Sequence, residues 1–264
     1  MRYGVLGDIH GNSEALGVAL AELERQAVSH ILCLGDIVGY NADPDECVEA
    51  LRRCGAAAIA GNHDLIGTGR LDFARCSTKA MYSLRRTRRL LGSDSAAWLR
   101  QLPANRVVEE QVALVHGGVR DVEQYMVTPA HIERNAKYLR ADFPQVRLCF
   151  FGHSHEQKVY EVNGEVRELP LRKRVELRKS RLYFVNPGSI DAQRKNRHKL
   201  AEFAILDTVG WSVEFLRLPY DAAATEAKAA AFGYRLTPVM DRYYSLRRKL
   251  AASTAQGGRR IRSL

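Results

Sequence analysis

The chain has 264 residues, 46% of them hydrophobic, with a formal net charge of +10. That length allows one large domain or two small ones around a sizeable core, and the composition is that of an ordinary soluble globular protein. No run approaches the eighteen or so apolar residues of a membrane span, and Met1 leads within two residues into a strand-like run, so the expectation is a cytoplasmic protein without signal peptide or membrane anchor.

Short apolar runs recur at Tyr3 to Gly7, Ile31 to Gly35, Ala56 to Gly61, Val112 to His116, Val146 to Gly152 and Leu182 to Val185, the pattern of buried strands. Helices are predicted between the first three. Ala15, Leu16, Ala19, Leu20 and Leu23 recur at helical spacing, and Pro44 stands where a helix capped by Asp43 places its first residue. The opening thus reads β-α-β-α-β, which implies a parallel sheet. Further on, Lys158 to Val162 and Val166 to Leu169 flank an Asn163-Gly164 turn, while Glu202 to Leu206 and Trp211 to Leu216 flank Asp207 to Gly210. Both read as antiparallel hairpins. A chain that opens with alternating helices and strands and closes with antiparallel pairs builds two sheets, one packed on the other. Asp221 to Phe232 reads as an alanine-rich helix and Val239 to Ala252 as a basic one.

The charge is unevenly placed. From Arg235 onward the basic residues Arg235, Arg242, Arg247, Arg248, Lys249, Arg259, Arg260 and Arg262 face the single acid Asp241, and the remainder is nearly balanced. The excess therefore belongs to a C-terminal extension, read as a solvated helix face and tail. Cys33, Cys47, Cys54, Cys76 and Cys149 form an odd set without a C-x-x-C pair, which argues for reduced, structural thiols.

The chemistry-bearing residues fall at the carboxyl ends of predicted strands. Asp8 and His10 follow the first, Asp36 the second, Asn62, His63 and Asp64 the third, His116 the next, and His153 with His155 the one after. In open α/β sheets that edge converges on a crevice where ligands bind. One histidine after a strand is usually a cap or a core residue. Five histidines with carboxylates and an amide at one edge exceed the three or four protein ligands that a single ion needs, so two ions sharing a carboxylate are expected. A thiolate-free set of carboxylate, imidazole and amide suits Mn, Fe, Ni or Zn better than Mg or Ca; ligand type does not choose among the four, and Mn is the metal expected.

Gly7-Asp8-Ile9-His10-Gly11, Gly35-Asp36, Gly61-Asn62-His63-Asp64, Val115-His116-Gly117 and Gly152-His153-Ser154-His155 resemble the ordered motif set of the calcineurin-like metallophosphoesterases. The resemblance spans roughly residues 1 to 219, taken as the catalytic domain, with 220–264 as a helical basic extension. It implies a four-layer α/β/β/α sandwich of two mixed sheets flanked by helices. It also implies that Asp8, His10 and His155 hold one ion, that Asn62, His116 and His153 hold the other, and that Asp36 bridges them. The reaction implied is hydrolysis of a phosphate ester by a metal-bridging hydroxide, without a covalent enzyme intermediate. His63 matches the family histidine beside the phosphate, able to donate to a phosphoryl oxygen or protonate the leaving group, with Asp64 expected to hold its ring and favour its charged form.

Asn186-Pro187-Gly188-Ser189 followed by Arg194 resembles a segment of the smaller bacterial members. Arg194 is the candidate phosphate contact, with Lys195 and Arg197 as substitutes, because a guanidinium pairs two phosphate oxygens at once. Asn62 also stands as a substrate contact. After Asp36 the chain continues Ile37-Val38-Gly39-Tyr40, without the Asp- or Asn-Arg-Gly element of the serine/threonine protein phosphatases and symmetrical diadenosine tetraphosphatases. The nearest branch is therefore the small bacterial phosphodiesterase-like one. Expected substrates are phosphodiesters or dinucleoside polyphosphates, nucleotides among them, ahead of phosphoproteins. Three alternatives stand beside this reading: a protein phosphatase, a scaffold that has lost its metal chemistry, and a nuclease holding nucleic acid through Arg172-Lys173-Arg174 and Arg178-Lys179 or through the C-terminal extension. Oligomeric state has no signature in the sequence.

Overall fold

The structure, a computed structural model, describes residues 1–28, 30–191, 199–244 and 246. It begins with β1 (Arg2–Leu6), α1 (Ser13–Arg25), β2 (His30–Cys33), α2 (Pro44–Arg53), β3 (Ala57–Ala58) and α3 (Asn62–Gly67). The local chemistry explains the helix starts. Asn12 caps α1 by accepting the Ala15 amide at 3.0 Å, and Pro44 opens α2, where its missing amide proton costs nothing. The third strand is shorter than its apolar run because the Ala60 amide turns away to the Pro103 carbonyl, at 2.8 Å.

Three helices and two strands follow: α4 (Thr78–Leu90), α5 (Ser93–Gln101), β4 (Asn105–Val108), β5 (Val112–Val115) and α6 (Pro129–Asp142). The buried side of α4 is Ala80, Ser83, Leu84 and Thr87, half of it polar, which hides it from a hydrophobic-period reading. The rest is β6 (Leu148–Phe150), β7 (Lys158–Asn163), β8 (Glu165–Leu169), β9 (Arg174–Glu176), β10 (Leu182–Asn186), β11 (Leu200–Asp207), β12 (Ser212–Pro219) and α7 (Ala222–Ala231). Of the basic helix expected over 239–252, residues 238–244 are helical and most of the remainder lies outside the described residues.

Two mixed six-stranded sheets result, ordered β3-β2-β1-β11-β12-β9 and β4-β5-β6-β10-β7-β8. β1, β2 and β3 run parallel, as the opening alternation implies, and β11 joins β1 antiparallel. Both expected hairpins are present, β7 with β8 and β11 with β12. Three apolar layers separate the four structural ones. Leu16, Leu23, Val48, Cys33 and Phe203 pack helices α1 and α2 on the first sheet. Val5, Leu34, Leu114, Phe150 and Val185 fill the space between the sheets. Ile132, Leu139, Phe151 and Phe184 pack α6 on the second. The architecture is the α/β/β/α sandwich, and the carboxyl ends of β1, β2, β3, β5 and β6 meet at one edge.

α7 lies beyond the expected 219/220 boundary yet is tied to that same region. Thr225 Oγ1 is 2.9 Å from Glu14 Oε2 and 3.1 Å from Asn12 Oδ1, and the Lys228 ammonium donates to Asp43 at 2.7 Å and also to Glu14. Burial disfavours the charge on Lys228, but the two carboxylates outweigh it and raise the ammonium pKa.

Candidate metal centre

The strand ends carry the site in a strained backbone. Asp8, His10, Asp36, His153 and His155 all have φ between 51° and 65°, a left-handed region that costs a side-chain-bearing residue roughly 1 kcal/mol or more. Hydrogen bonds hold the turns in place. The amides of Ile9 and His10 both donate to the Asp36 carbonyl at 2.8 Å, and Ser189 Oγ and the Asp191 amide reach the Asp8 carbonyl at 3.0 and 2.9 Å. Gly35 and Gly61 make room: a Cβ on Gly35 would strike the Gly61 backbone, and one on Gly61 would strike the Asp36 carboxylate.

Donor atoms converge in three overlapping groups, one of which joins His10, Asp36 and His63. In a second, Asp8, His10 and His155 bring ligand atoms within 4.8 Å of one another; in the third, Asp36, His116 and His153 do so. The groups meet through Asp36, whose Oδ2 is 3.3 Å from His116 Nε2 and 3.9 Å from His10 Nε2. Asn62 Oδ1 adds a further donor, 3.0 Å from His116 Nε2. His10 Nε2 and His155 Nε2 face each other at 3.2 Å, and the buried His153 Nε2 has no hydrogen-bond partner. Lone pairs of buried imidazoles aimed at a common point are what a cation satisfies, so this donor set fits divalent metal. Tautomers are set from behind: His116 Nδ1 donates to the Leu34 carbonyl at 2.8 Å, which leaves Nε2 facing the site.

Electrostatics within the group are uneven. Burial lowers the pKa of His10; burial reinforced by the His116 charge lowers that of His153 to about 3. Burial opposes charge on His116 too, but Asp36 beside it prevails and raises its pKa to about 9. The histidines correspondingly overcome the burial of Asp8 and Asp36 and hold both carboxyls below their usual range.

His63 lines the same cavity, its ring 4.6 Å from that of His10 and 4.8 Å from that of Tyr40. Asp64 does not hold that ring, contrary to expectation. Its Oδ1 accepts the amides of Ile37 and Val38 at 2.9 and 3.2 Å and its Oδ2 that of Gly61 at 2.9 Å, while His63 Nδ1 is buried without a partner. The reason is helical geometry: successive residues of α3 point in different directions, so neighbours in sequence do not face each other. Asp64 instead accepts the Gly61 amide at the start of α3 and ties the β2 loop to that helix. Burial shifts His63 down, toward the neutral ring, against the opposing pull of the Asp36 carboxylate.

The cavity above the donors is about 170 Å³ and is lined further by Tyr40, Arg75, Glu123 and Tyr125. None of these four stood among the sequence candidates. Arg75 donates to Asp121 at 2.9 Å and to the Glu123 carbonyl at 3.1 Å, which sets a guanidinium at the rim; Tyr125 stacks on His153, centroids 4.0 Å apart. Their segments show no periodicity and no motif, so only the fold brings them to the site. Arg194, Lys195 and Arg197 lie outside the described residues. Larger hollows of about 530 and 910 Å³ occur elsewhere, lined by no metal-ligand group among the described residues.

Residues 1–210 match the family model of the calcineurin-like phosphoesterase superfamily domain. The chain belongs to that family. This phosphoesterase is 32% identical over 225 residues to an uncharacterised protein of Methanocaldococcus jannaschii, covering 82% of the chain and 87% of the relative. The crystal structure of a metallophosphoesterase from Sphaerobacter thermophilus superposes with a TM-score of 0.71 at 28% identity, over 92% of this chain and 97% of that one. A hypothetical protein from Pyrococcus horikoshii shares the fold at TM-score 0.71 and 20% identity, covering 89% and 94%. Family membership and the clustered Asp and His donors support a metal-dependent hydrolase of phosphate esters. Among the described residues no helix is long and apolar enough to cross a membrane.

Proposed function

We propose that the phosphoesterase is a binuclear enzyme in which Asp8, His10 and His155 hold one divalent ion, Asn62, His116 and His153 the other, and Asp36 both, with manganese the first metal to try. The observation that carries this is the place of Asp36, between two groups of converging donors. Bound divalent ions would supply Lewis-acid polarisation of the phosphate and a water of lowered pKa. The chain's own residues do the rest. Asn62 orients a phosphoryl oxygen, and Arg75 stands at the rim with its charge already paired to Asp121 and Glu123. His63 is neutral at rest, and its remaining N–H donates a hydrogen bond to the phosphoryl or departing oxygen. Arg194 remains a proposed contact.

Phosphodiesters and nucleotide phosphoanhydrides are the proposed substrates, ahead of phosphoproteins, because no arginine follows Asp36 as in the protein phosphatases. The nuclease alternative gains little, since Lys173 pairs with Glu214 and Arg174 with Glu176, so part of that basic cluster is neutralised within the chain. A scaffold role fits poorly with a complete donor set. The test is a panel of phosphomonoesters, cyclic and linear diesters, dinucleoside polyphosphates and phosphopeptides, assayed after reloading with Mn, Ni, Fe, Zn or Mg. A higher kcat/KM on diesters or anhydrides than on phosphopeptides is expected. The reverse order would move the protein to the phosphatase branch, and no turnover with any metal would favour the scaffold.

A further inference from the structure

We infer that Arg235, outside the stretch matched by the family model, is a positioning residue of the metal centre. It fixes the loop that supports His10. Its Nη1 donates to the Tyr40 carbonyl at 2.8 Å and its Nη2 to Asn41 Oδ1 at 2.9 Å, while Nε is held by Glu226 at 2.8 Å. Asn41 in turn donates twice to the His10 carbonyl, from its amide at 3.0 Å and from Nδ2 at 3.1 Å. A guanidinium only donates, so it draws the oxygen of the Asn41 amide to itself, while the His10 carbonyl and the Asp191 carboxyl draw the nitrogen. Flipping that amide would set two oxygens against each other at the His10 carbonyl.

The brace acts where the backbone needs it. Gly39 and Tyr40 both have positive φ, 102° and 51°, as has His10 at 54°. Such a turn persists only when its surroundings over-determine it. The same turn sets the Tyr40 ring 4.8 Å from both His10 and His63. Glu226, which anchors Arg235, belongs to α7, and α7 is tied to α1 by Thr225 and Lys228. The segment from 220 to 235 therefore reaches the His10 side of the metal centre through this guanidinium fork, and the Asp8 side separately through Thr225, Asn12 and Asp191. Lysine in its place offers a single ammonium for two acceptors set by a planar fork.

This inference rests on the binuclear reading, and its test separates the two. Chelator-stripped wild type, Arg235→Ala and Arg235→Lys are titrated with Co(II) by visible absorption, and exchange of the Asn41 amide hydrogen is followed in the metal-free proteins. Loss of a residue that orients a ligand typically weakens metal binding about 10- to 100-fold. In Arg235→Ala one of the two Co(II) dissociation constants is expected to rise by roughly that factor, the other to stay, and Asn41 to exchange faster while β6 amides keep wild-type protection. Added guanidinium ion restores the first constant, and Arg235→Lys recovers only part of it. Unchanged Co(II) affinity together with unchanged Asn41 exchange in Arg235→Ala would overturn the inference. Fewer than two ions on wild type would count against the binuclear reading, and the Asn41 exchange rate would then decide the brace by itself.

Discussion

Asp36 Oδ2 lies 3.3 Å from His116 Nε2, while its Oδ1 accepts the His63 backbone amide at 2.8 Å. The carboxylate thus joins β2, β5 and the start of α3 at one point. Asp36→Asn keeps the shape and removes the negative charge that two neighbouring cations require. Both metal affinities should fall, and activity should drop on every substrate. Elemental analysis of the variant checks this; two ions retained at wild-type affinity would show that Asp36 does not bridge.

His63→Ala should separate proton donation from metal binding. General acid catalysis contributes on the order of 10²- to 10⁴-fold, so an alkyl ester should lose activity in that range while a nitrophenyl ester loses clearly less. Metal content should stay near wild type. Equal losses on both leaving groups would assign His63 to hydrogen bonding the phosphoryl oxygens instead, the role open to its ring while it stays neutral.

Metal uptake should depend on pH through His116. In the metal-free protein its pKa is raised to about 9, so at pH 7 the ring carries a proton that a cation must displace. The sign follows: affinity rises with pH and levels off near pH 9, and binding at pH 7 releases a proton. Calorimetry in buffers of different ionisation enthalpy measures that proton, and buffer-independent heats would contradict the assignment.

Truncation should distinguish the two parts of the C-terminal region. Ending the chain at residue 237 keeps α7 and Arg235, and hydrolysis of a small ester should survive largely intact. Ending it at residue 219 removes the bonds from Thr225, Lys228 and Arg235 to Glu14, Asp43 and the Tyr40–Asn41 turn. With each worth about 1 kcal/mol net, and less for the half-exposed Lys228, the loss is on the order of 2–3 kcal/mol. That corresponds to a Tm drop of roughly 5–10 °C. Equal melting temperatures for the two truncations would show that α7 contributes nothing to the body.

Much of this was legible in the sequence. Apolar runs marked most of the core strands, and polar residues at their carboxyl ends, flanked by glycines, marked the donors that the fold brings together. Two kinds of information were not. Tyr40, Arg75 and Tyr125 reach the cavity from loops and turns, where no period reports direction. Asp64 stands next to His63 in sequence but not in space, because consecutive residues of a helix point different ways. α4 escaped for a related reason, since half of its buried side is Ser83 and Thr87, satisfied by the helix's own carbonyls.

The most direct test of a binuclear phosphoesterase is metal stoichiometry read together with turnover. Chelator-stripped protein is titrated with Mn(II) while bound metal and hydrolysis of a nitrophenyl diester are followed in the same samples. The expected result is no hydrolysis without metal, saturation at two ions per chain, and activity that appears with the second. Saturation at one ion, or hydrolysis that persists after stripping, would contradict it.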